Sequence, residues 1–229
     1  IILLPLYPQF STTTTGSSFK DWHRAASAIG LTVPTSSVCC YPAQADFIAA
    51  HAALIRTYYD EAKQFGAPRI LFSAHGLPEK IIKRGDPYQM QVEMTTQAVL
   101  RTLGIEGVDY VNCYQSRVGP LKWIGPATTD ELLRAGFEKK PVVLVPIAFV
   151  SEHSETLVEL DIEYAEMAHH NGVDHYYRVP TLSTAAHFIA GLSDICLKLT
   201  TDATLAPDTG ARICGPEWKE CPCKIGVRG

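Results

Sequence analysis

Val142-Val-Leu-Val-Pro-Ile-Ala-Phe-Val150, followed by Ser151-Glu-His-Ser-Glu-Thr-Leu-Val-Glu-Leu-Asp-Ile-Glu-Tyr164, decides how this chain folds. The first nine residues are apolar and rich in β-branched side chains, the pattern of a strand buried on both faces. The next four turn abruptly polar, and the spacing then becomes helical. Leu157, Leu160 and Tyr164 recur at i, i+3 and i+7, so one helix face can pack on a core. Glu155, Glu159 and Glu163 fall four apart and make an acidic stripe along the same helix. Like charges at that spacing repel by roughly 0.2–0.5 kcal/mol per pair, so stability does not explain them. One reading is a solvated face; the other is a stripe that receives or sheds cations and protons. Position favours the second. Glu152, His153 and Glu155 stand where strand gives way to helix, the place where open α/β sheets hold ligands. An imidazole between two carboxylates suits divalent-metal or proton-transfer chemistry.

The rest of the chain alternates in the same way. The spacing predicts strands at 1–6, 31–38, 69–74, 108–112 and 176–179. Helices are expected from a Ser17 or Ser18 cap through Phe19, Trp22 and Ala26, from an Asp46 cap to about 65, and at 89–103. Others run from Thr128 or Thr129 to 135, closed by Gly136, and over 183–199. Such alternation means a mainly parallel, doubly wound sheet. Three of the strands turn polar as they end: into His75-Gly76, into Cys113-Tyr-Gln-Ser-Arg117, and into Ser151-Glu-His153. Side by side in one parallel sheet, those ends face a common crevice, with His75 looking across it at His153 and Glu155.

With 229 residues, the chain has room for one large or two modest domains. A formal net charge of -4 leaves no basic footprint for nucleic acid. No apolar run approaches the ~20 residues of a spanning helix, and Ile1-Ile-Leu-Leu-Pro-Leu6 lacks the charged region of a signal peptide. That start reads as a buried strand entered midway, so the chain is expected to be the later part of a longer protein. Seven cysteines with no secretory signal point to reduced thiols and a cytoplasmic location. Trp22, Trp123 and Phe149 read as core. His23, His51, His169, His170 and His175 read as surface or helix-end residues, and His187 lies in the last helix.

Several segments together carry a resemblance. They are Leu4-Pro-Leu-Tyr-Pro-Gln-Phe-Ser11 with Thr14-Thr-Gly-Ser-Ser18, Ser73-Ala-His-Gly-Leu-Pro78, Arg84-Gly-Asp-Pro-Tyr88, Gln115-Ser-Arg-Val-Gly-Pro120 with Trp123-Ile-Gly-Pro126, and Pro146 through Tyr164. In this order they resemble ferrochelatase, the enzyme family that inserts ferrous iron into a porphyrin at the last step of haem synthesis. The likeness runs from 3 to about 180, and its most specific part is Ala148-Phe-Val-Ser-x-His-Ser-Glu-Thr-Leu157. It implies an α/β fold of two Rossmann-like, chelatase-type doubly wound parallel sheets with a cleft between them, the first only partly present. On that division, 1–40 is the last part of the first half and 41–180 the second half with most of the active site. Residues 181–229 are a helix returning to the first half plus a tail. The family's opening segment, with its Gly-rich start and porphyrin-covering lip, has no counterpart here.

By the same resemblance, His75 is the histidine beside the porphyrin, assigned to metal delivery or to accepting pyrrole protons, and Glu155 is the carboxylate facing it. Glu159 and Glu163 are the acidic line leading away, so His75, Glu155, Glu159 and Glu163 form the implied metal set. His153 is the supporting histidine, and Tyr7 and Tyr114 are aromatic positions lining the cleft. Glu152 departs from the pattern, since many relatives carry Asp there. The implied activity is a lyase-type chelation with ferrous iron and a porphyrin as substrates, and with peripheral contact to the inner membrane. A related chelatase for another metal and a non-catalytic tetrapyrrole- or iron-binding module are the alternatives. The sequence is silent on oligomeric state.

The tail Cys214-Gly-Pro-Glu-Trp-Lys-Glu-Cys221-Pro-Cys223 puts three thiols within ten residues. Three thiolates ask for a fourth ligand, for Zn or for a [2Fe–2S] cluster. Cys39 or Cys40 is the natural candidate, because Cys113 and Cys196 have core-like surroundings. Some ferrochelatases carry such a cluster on tail cysteines, which implies Cys40, Cys214, Cys221 and Cys223 as its ligands; inert thiols stay open as the alternative.

Overall fold

The computed structural model describes residues 1–199 and 205–223. Along the chain run β1 (Ile2–Leu3), α1 (Thr15–Ala28), β2 (Ser36–Val38), α2 (Ala45–Ala62), β3 (Arg69–His75), α3 (Glu79–Lys83), α4 (Tyr88–Leu103) and β4 (Asp109–Gln115). There follow α5 (Thr128–Phe137), β5 (Val142–Pro146), α6 (Ser154–Leu157), α7 (Tyr164–His170), β6 (Tyr176–Arg178), α8 (Ala186–Lys198) and β7 (Leu205–Ala206). A π-helical turn, Glu159–Glu163, leads into α7.

Two sheets result, both parallel, as expected. The larger has the order β4-β3-β5-β6, and the smaller β1-β2-β7. In the larger sheet Phe72 pairs with Asn112 on one side and Val145 on the other. Alternation along β3 and β5 sorts side chains between two cores. Ile70, Phe72, Val143 and Val145 face a layer containing residues of α2, α4 and α8. Leu71, Val142 and Leu144 face Leu132 of α5 and Leu160, Tyr164 and Ala168. Helices on both faces are what a near-continuous apolar strand demands. The smaller sheet draws on both ends of the chain: β7, in the segment expected to be an irregular tail, pairs with β2. Residues 200–204 and 224–229 of that segment lie outside the described residues.

Several local expectations change. The strand expected over 142–150 stops at Pro146, which lacks an N–H for the ladder, and Ala148, Phe149 and Val150 bend away to line a cleft. The strands expected at 1–6 and 31–38 shrink to two and three residues, with Pro5 and Pro34 on their excluded stretches. Gln44, not Asp46, caps α2, its side-chain oxygen accepting the Phe47 amide at 2.7 Å. Gly136 does not close α5 but lies inside it, because a Cβ there would sit 2.1 Å from the Asn171 carbonyl oxygen. Leu157, expected on the packing face with Leu160 and Tyr164, is 47% exposed while those two are buried. The π-helical turn between them breaks the 3.6-residue phase on which that reading depended.

Candidate active site

At the carboxyl end of the larger sheet lies a cleft of about 790 Å³. One wall is Leu6, Tyr7, Gln9, Ser11, Thr13 and Thr14, from the segment between β1 and α1. The other comes from the ends of β3 and β5 and from Trp123. Trp123, read from sequence as core, is only partly buried and lines this cleft, whereas Phe149 is buried as expected and lines the cleft as well. Apolar strand residues and cleft residues have the same composition, so only the bend after Pro146 separates them.

His75 ends β3, where its side chain is half-exposed. Its Nδ1 lies 2.7 Å from the Gly76 carbonyl oxygen. A carbonyl can only accept, so Nδ1 is the donor in this contact, and in the neutral tautomer it selects, Nε2 is the nitrogen with the lone pair. Nε2 stands 3.8 Å from Oε1 of Glu155. Tyr88 fixes the backbone behind it by donating its hydroxyl to the His75 carbonyl at 3.1 Å. Burial, with the charges of Asp86 and Glu155, pushes the Tyr88 phenol well up, so it remains a donor. Gly76 suits a close approach: a Cβ would meet the Arg117 side chain and the Gln115 carbonyl tightly, at 3.0 Å each.

Glu155 sits in the first turn of α6, whose N-cap is His153. The Nδ1 of His153 accepts the Glu155 amide at 3.2 Å, and Thr156 Oγ1 accepts the His153 amide at 2.9 Å. This is a capping box with an imidazole where Ser or Thr is usual. The cap aims the Glu155 turn at the cleft, and His153 also lines it, its ring 5.0 Å from that of Phe149.

Glu159 is directed elsewhere. Its carboxylate accepts from the Ser116 amide (2.8 Å), the Ser116 hydroxyl (2.6 Å), Gln115 Nε2 (3.1 Å) and the Tyr164 hydroxyl (2.8 Å). Ser116 reaches it from a left-handed backbone, φ 57°, a conformation costing of order 1 kcal/mol or more for a non-glycine residue. Gln115 ties this network back to the site by donating also to the Glu155 carbonyl at 3.0 Å. Glu163 lies on the exposed side of the π-helical turn. Of the four residues in the implied metal set, then, the structure pairs His75 with Glu155. Among the described residues no three His, Cys, Asp or Glu side chains form a ready coordination shell.

Three further sequence readings need correction. Tyr114 does not line the cleft: it is 1% exposed within the core, because β4 turns it toward the helical layer. His51 is neither surface nor helix-end, being wholly buried in α2 with its ring 4.8 Å from that of Phe47. Glu152, which the sequence set beside His153 at the ligand end of the sheet, faces away from the cleft into an ion-pair cluster. Its Oε1 accepts from Arg178 at 2.6 Å and from the Thr181 amide at 2.9 Å, and Arg178 also grips Asp161. Burial works against ionisation of Glu152, but the Thr156, Arg178 and Thr181 contacts outweigh it and hold its carboxyl below the usual range. No local periodicity signals such a cluster. Tyr7 does line the cleft, on its exposed rim.

A second assembly lies behind the Tyr7–Thr14 wall. Cys39, Cys40, Cys214, Cys221 and Cys223 are all buried together, with Phe10, Met90, Ile213 and Trp218 around them. Cys39 Sγ lies 3.0 Å from Cys223 Sγ and 3.4 Å from Cys40 Sγ. These are thiol contacts, not disulfides. The tail has little apolar surface, and Arg212 supplies its order. Its guanidinium donates to the carbonyls of Cys214 (2.9 Å), Cys223 (2.7 Å), Gly215 (3.1 Å) and Trp218 (2.8 Å).

The fold is similar to that of two solved chelatases. SirB from Bacillus subtilis with Fe3+ superposes with a TM-score of 0.58 at 12% identity, over 84% of this chain and 68% of that one. The sirohydrochlorin chelatase SirB from Bacillus subtilis subspecies spizizenii, in complex with cobalt, gives 0.56 at 12% identity, over 85% and 66%. Identity this low speaks for the fold alone. Sequence carries the assignment further: the ferrochelatase family model matches residues 1–199, and the chain belongs to the ferrochelatase family. Ferrochelatases of Caulobacter vibrioides (52% identical over 229 residues), Pelagibacter ubique (49% over 226) and Wolbachia pipientis wMel (53% over 199) are among its relatives. The matches cover 99%, 97% and 87% of this chain but 65%, 64% and 62% of those proteins. The chain therefore spans a little under two thirds of the length of these relatives.

Proposed function

We propose that the protein containing this chain inserts Fe(II) into protoporphyrin IX, or a close porphyrin, with loss of two pyrrole protons. One observation carries the proposal: His75 Nε2 and Glu155 Oε1 stand 3.8 Å apart on the wall of a largely apolar cleft. At about 790 Å³ the cleft is within the ~300–1,000 Å³ of small-molecule sites, and Leu6, Trp123, Ala148 and Phe149 offer it flat apolar contact.

In this reading the Nε2 lone pair of neutral His75 accepts one pyrrole proton, and Glu155 steadies the incoming cation as it sheds water and takes the second proton. An imidazole and a carboxylate are a weak, open ligand set, able to surrender iron to four pyrrole nitrogens. Tyr7 and His153 form part of the porphyrin wall, while Glu159 and Glu163 continue the acidic line away from it. Glu159, its carboxylate held by Ser116 and Tyr164, would be the first station of that line as a route for protons or metal. Among the described residues no helix is long and apolar enough to cross a membrane. A peripheral contact with acidic lipid would use exposed Val118 and Leu121, flanked by Arg117 and Lys122.

The test uses the full-length protein. His75→Ala and Glu155→Ala should each cut metallation at least a hundredfold while porphyrin affinity stays within about threefold of wild type. Near-normal turnover in both variants sinks the assignment. A wild-type protein that binds porphyrin but metallates it with no divalent ion supports the binding-module alternative; strong preference for another metal supports a different chelatase.

The five buried thiols fit a [2Fe–2S] cluster in donor chemistry, which calls for four thiolates in a water-poor shell. Cys214, Cys221 and Cys223, with Cys40 or its neighbour Cys39, would hold it. Bound there, the cluster would supply metal–sulfur cross-links joining the tail to the end of β2. Anaerobically purified full-length protein should then be coloured and contain two irons and two labile sulfides per chain; a colourless, iron-free, fully active sample ends the idea.

A further inference from the structure

Gln91, on α4 and wholly buried, touches the thiol nest and the cleft wall at once. Its Oε1 accepts the Phe10 amide at 2.8 Å, and its Nε2 donates toward Cys214 Sγ at 3.3 Å and Cys40 Sγ at 3.5 Å. On either side of Phe10, Gln9 and Ser11 line the cleft. Gln9 donates to Thr95 Oγ1 at 2.9 Å, one turn further along α4. The Ser11 hydroxyl donates to Asp86 at 3.0 Å, and Asp86 also accepts the Thr12 amide at 2.8 Å and the Thr12 hydroxyl at 2.7 Å. Three consecutive residues of the wall thus hang from α4 and the turn before it. The middle attachment is the one shared with the sulfurs.

We propose that Gln91 is a positioning residue that couples the thiol nest to the shape of the Gln9–Ser11 wall of the cleft. A carboxamide is planar, with its oxygen and nitrogen on one carbon, so it cannot turn its N–H groups to new acceptors without swinging its oxygen away from Phe10. Its site is closed to water, so a lost partner is not replaced. Whatever displaces Cys40 or Cys214, be it metal exchange, alkylation or substitution, therefore reaches the Phe10 amide through one rigid group. The coupling stands on these hydrogen bonds; only its consequence for porphyrin rests on the chelatase reading.

A double-mutant cycle in the full-length protein tests it, read by hydrogen–deuterium exchange of the peptide spanning residues 7–14. Cys214→Ala should speed exchange of that peptide at least threefold with Gln91 in place, and should add nothing in the Gln91→Leu background. Gln91→Met fills a similar volume but has neither the oxygen for Phe10 nor an N–H for the sulfurs. It should exchange faster than wild type and be insensitive to Cys214→Ala, so this arm decides the matter if Gln91→Leu does not fold. An effect of Cys214→Ala that is absent with Gln91, or that persists undiminished in the Gln91 variants, overturns the coupling. Porphyrin affinity, followed by fluorescence, should weaken at least fivefold in Gln91→Leu and in Gln91→Met. A wild-type protein that binds no porphyrin sinks the chelatase reading and leaves the exchange cycle to decide the coupling.

Discussion

The His75 ring donates its Nδ1–H to the carbonyl of Gly76, 2.7 Å away, and this contact turns Nε2 toward Glu155. The orientation belongs to the backbone, because the Gly76 amide is itself held by the Gln115 carbonyl at 2.8 Å. If Nε2 acts as a free base, then adding imidazole to His75→Ala should restore metallation at least tenfold. The same addition should do nothing for Glu155→Ala. Rates of iron uptake in the two variants, with and without imidazole, check this.

Arg178 bridges Glu152 and Asp161 with its side chain 11% exposed. Removing it leaves two partly buried carboxylates without their shared cation. Arg178→Ala should cost about 3 kcal/mol in urea unfolding, the low end for breaking a buried pair because both carboxylates keep some solvent contact. The Glu152 carboxyl is held below its ordinary range in the fold. Its contribution is therefore present above the unfolded-state value and lost as pH falls through the folded one. The variant's stability should fall less on acidification than that of wild type.

His51 is buried with both ring nitrogens lacking partners, and burial pulls its pKa down to about 3. The unfolded chain binds a proton near the usual ~6.5, whereas the folded one stays neutral. Stability is thus independent of this group above that range and falls as pH drops from about 6.5 toward 3, by at most ~1.4 kcal/mol per unit. His51→Phe should flatten that slope and raise stability at neutral pH by about 1–3 kcal/mol, since no hydrogen bond is lost. Unfolding curves at pH 7 and 5 distinguish the two.

Gly136 admits the Asn171-Gly172 turn against α5. With a Cβ placed 2.1 Å from the Asn171 oxygen, Gly136→Ala must separate the helix from that turn, at about 1–3 kcal/mol. Were Gly136 only a helix terminator, as the local pattern suggests, Ala would be neutral or stabilising inside the helix. Thermal melting of the single variant separates these outcomes.

The parallel strands and the meeting of His75 with Glu155 were legible because each strand turns polar where it ends, and parallel strands end on one side. Trp123 was misread as core, since a cleft built for an apolar ligand uses the residues a core uses; Phe149 is buried and lines the cleft at once. His51 was misread because a histidine's burial depends on what packs over it, not on its neighbours in the chain. Glu152 showed its carboxylate but not its partner, because Arg178 lies in another strand.

By itself the sequence determined the doubly wound parallel architecture and the strand ends that carry the chemistry, because strand and helix periodicities are local and survive any tertiary context. Only the tertiary structure decided which sulfurs meet, bringing Cys39 to Cys223 across 184 residues. It alone rephased the acidic helix through a π-helical turn, sending Glu159 to Ser116. It alone made Gln91 common to nest and cleft. Contacts of that kind depend on how elements dock, and a chain's local pattern holds no record of docking.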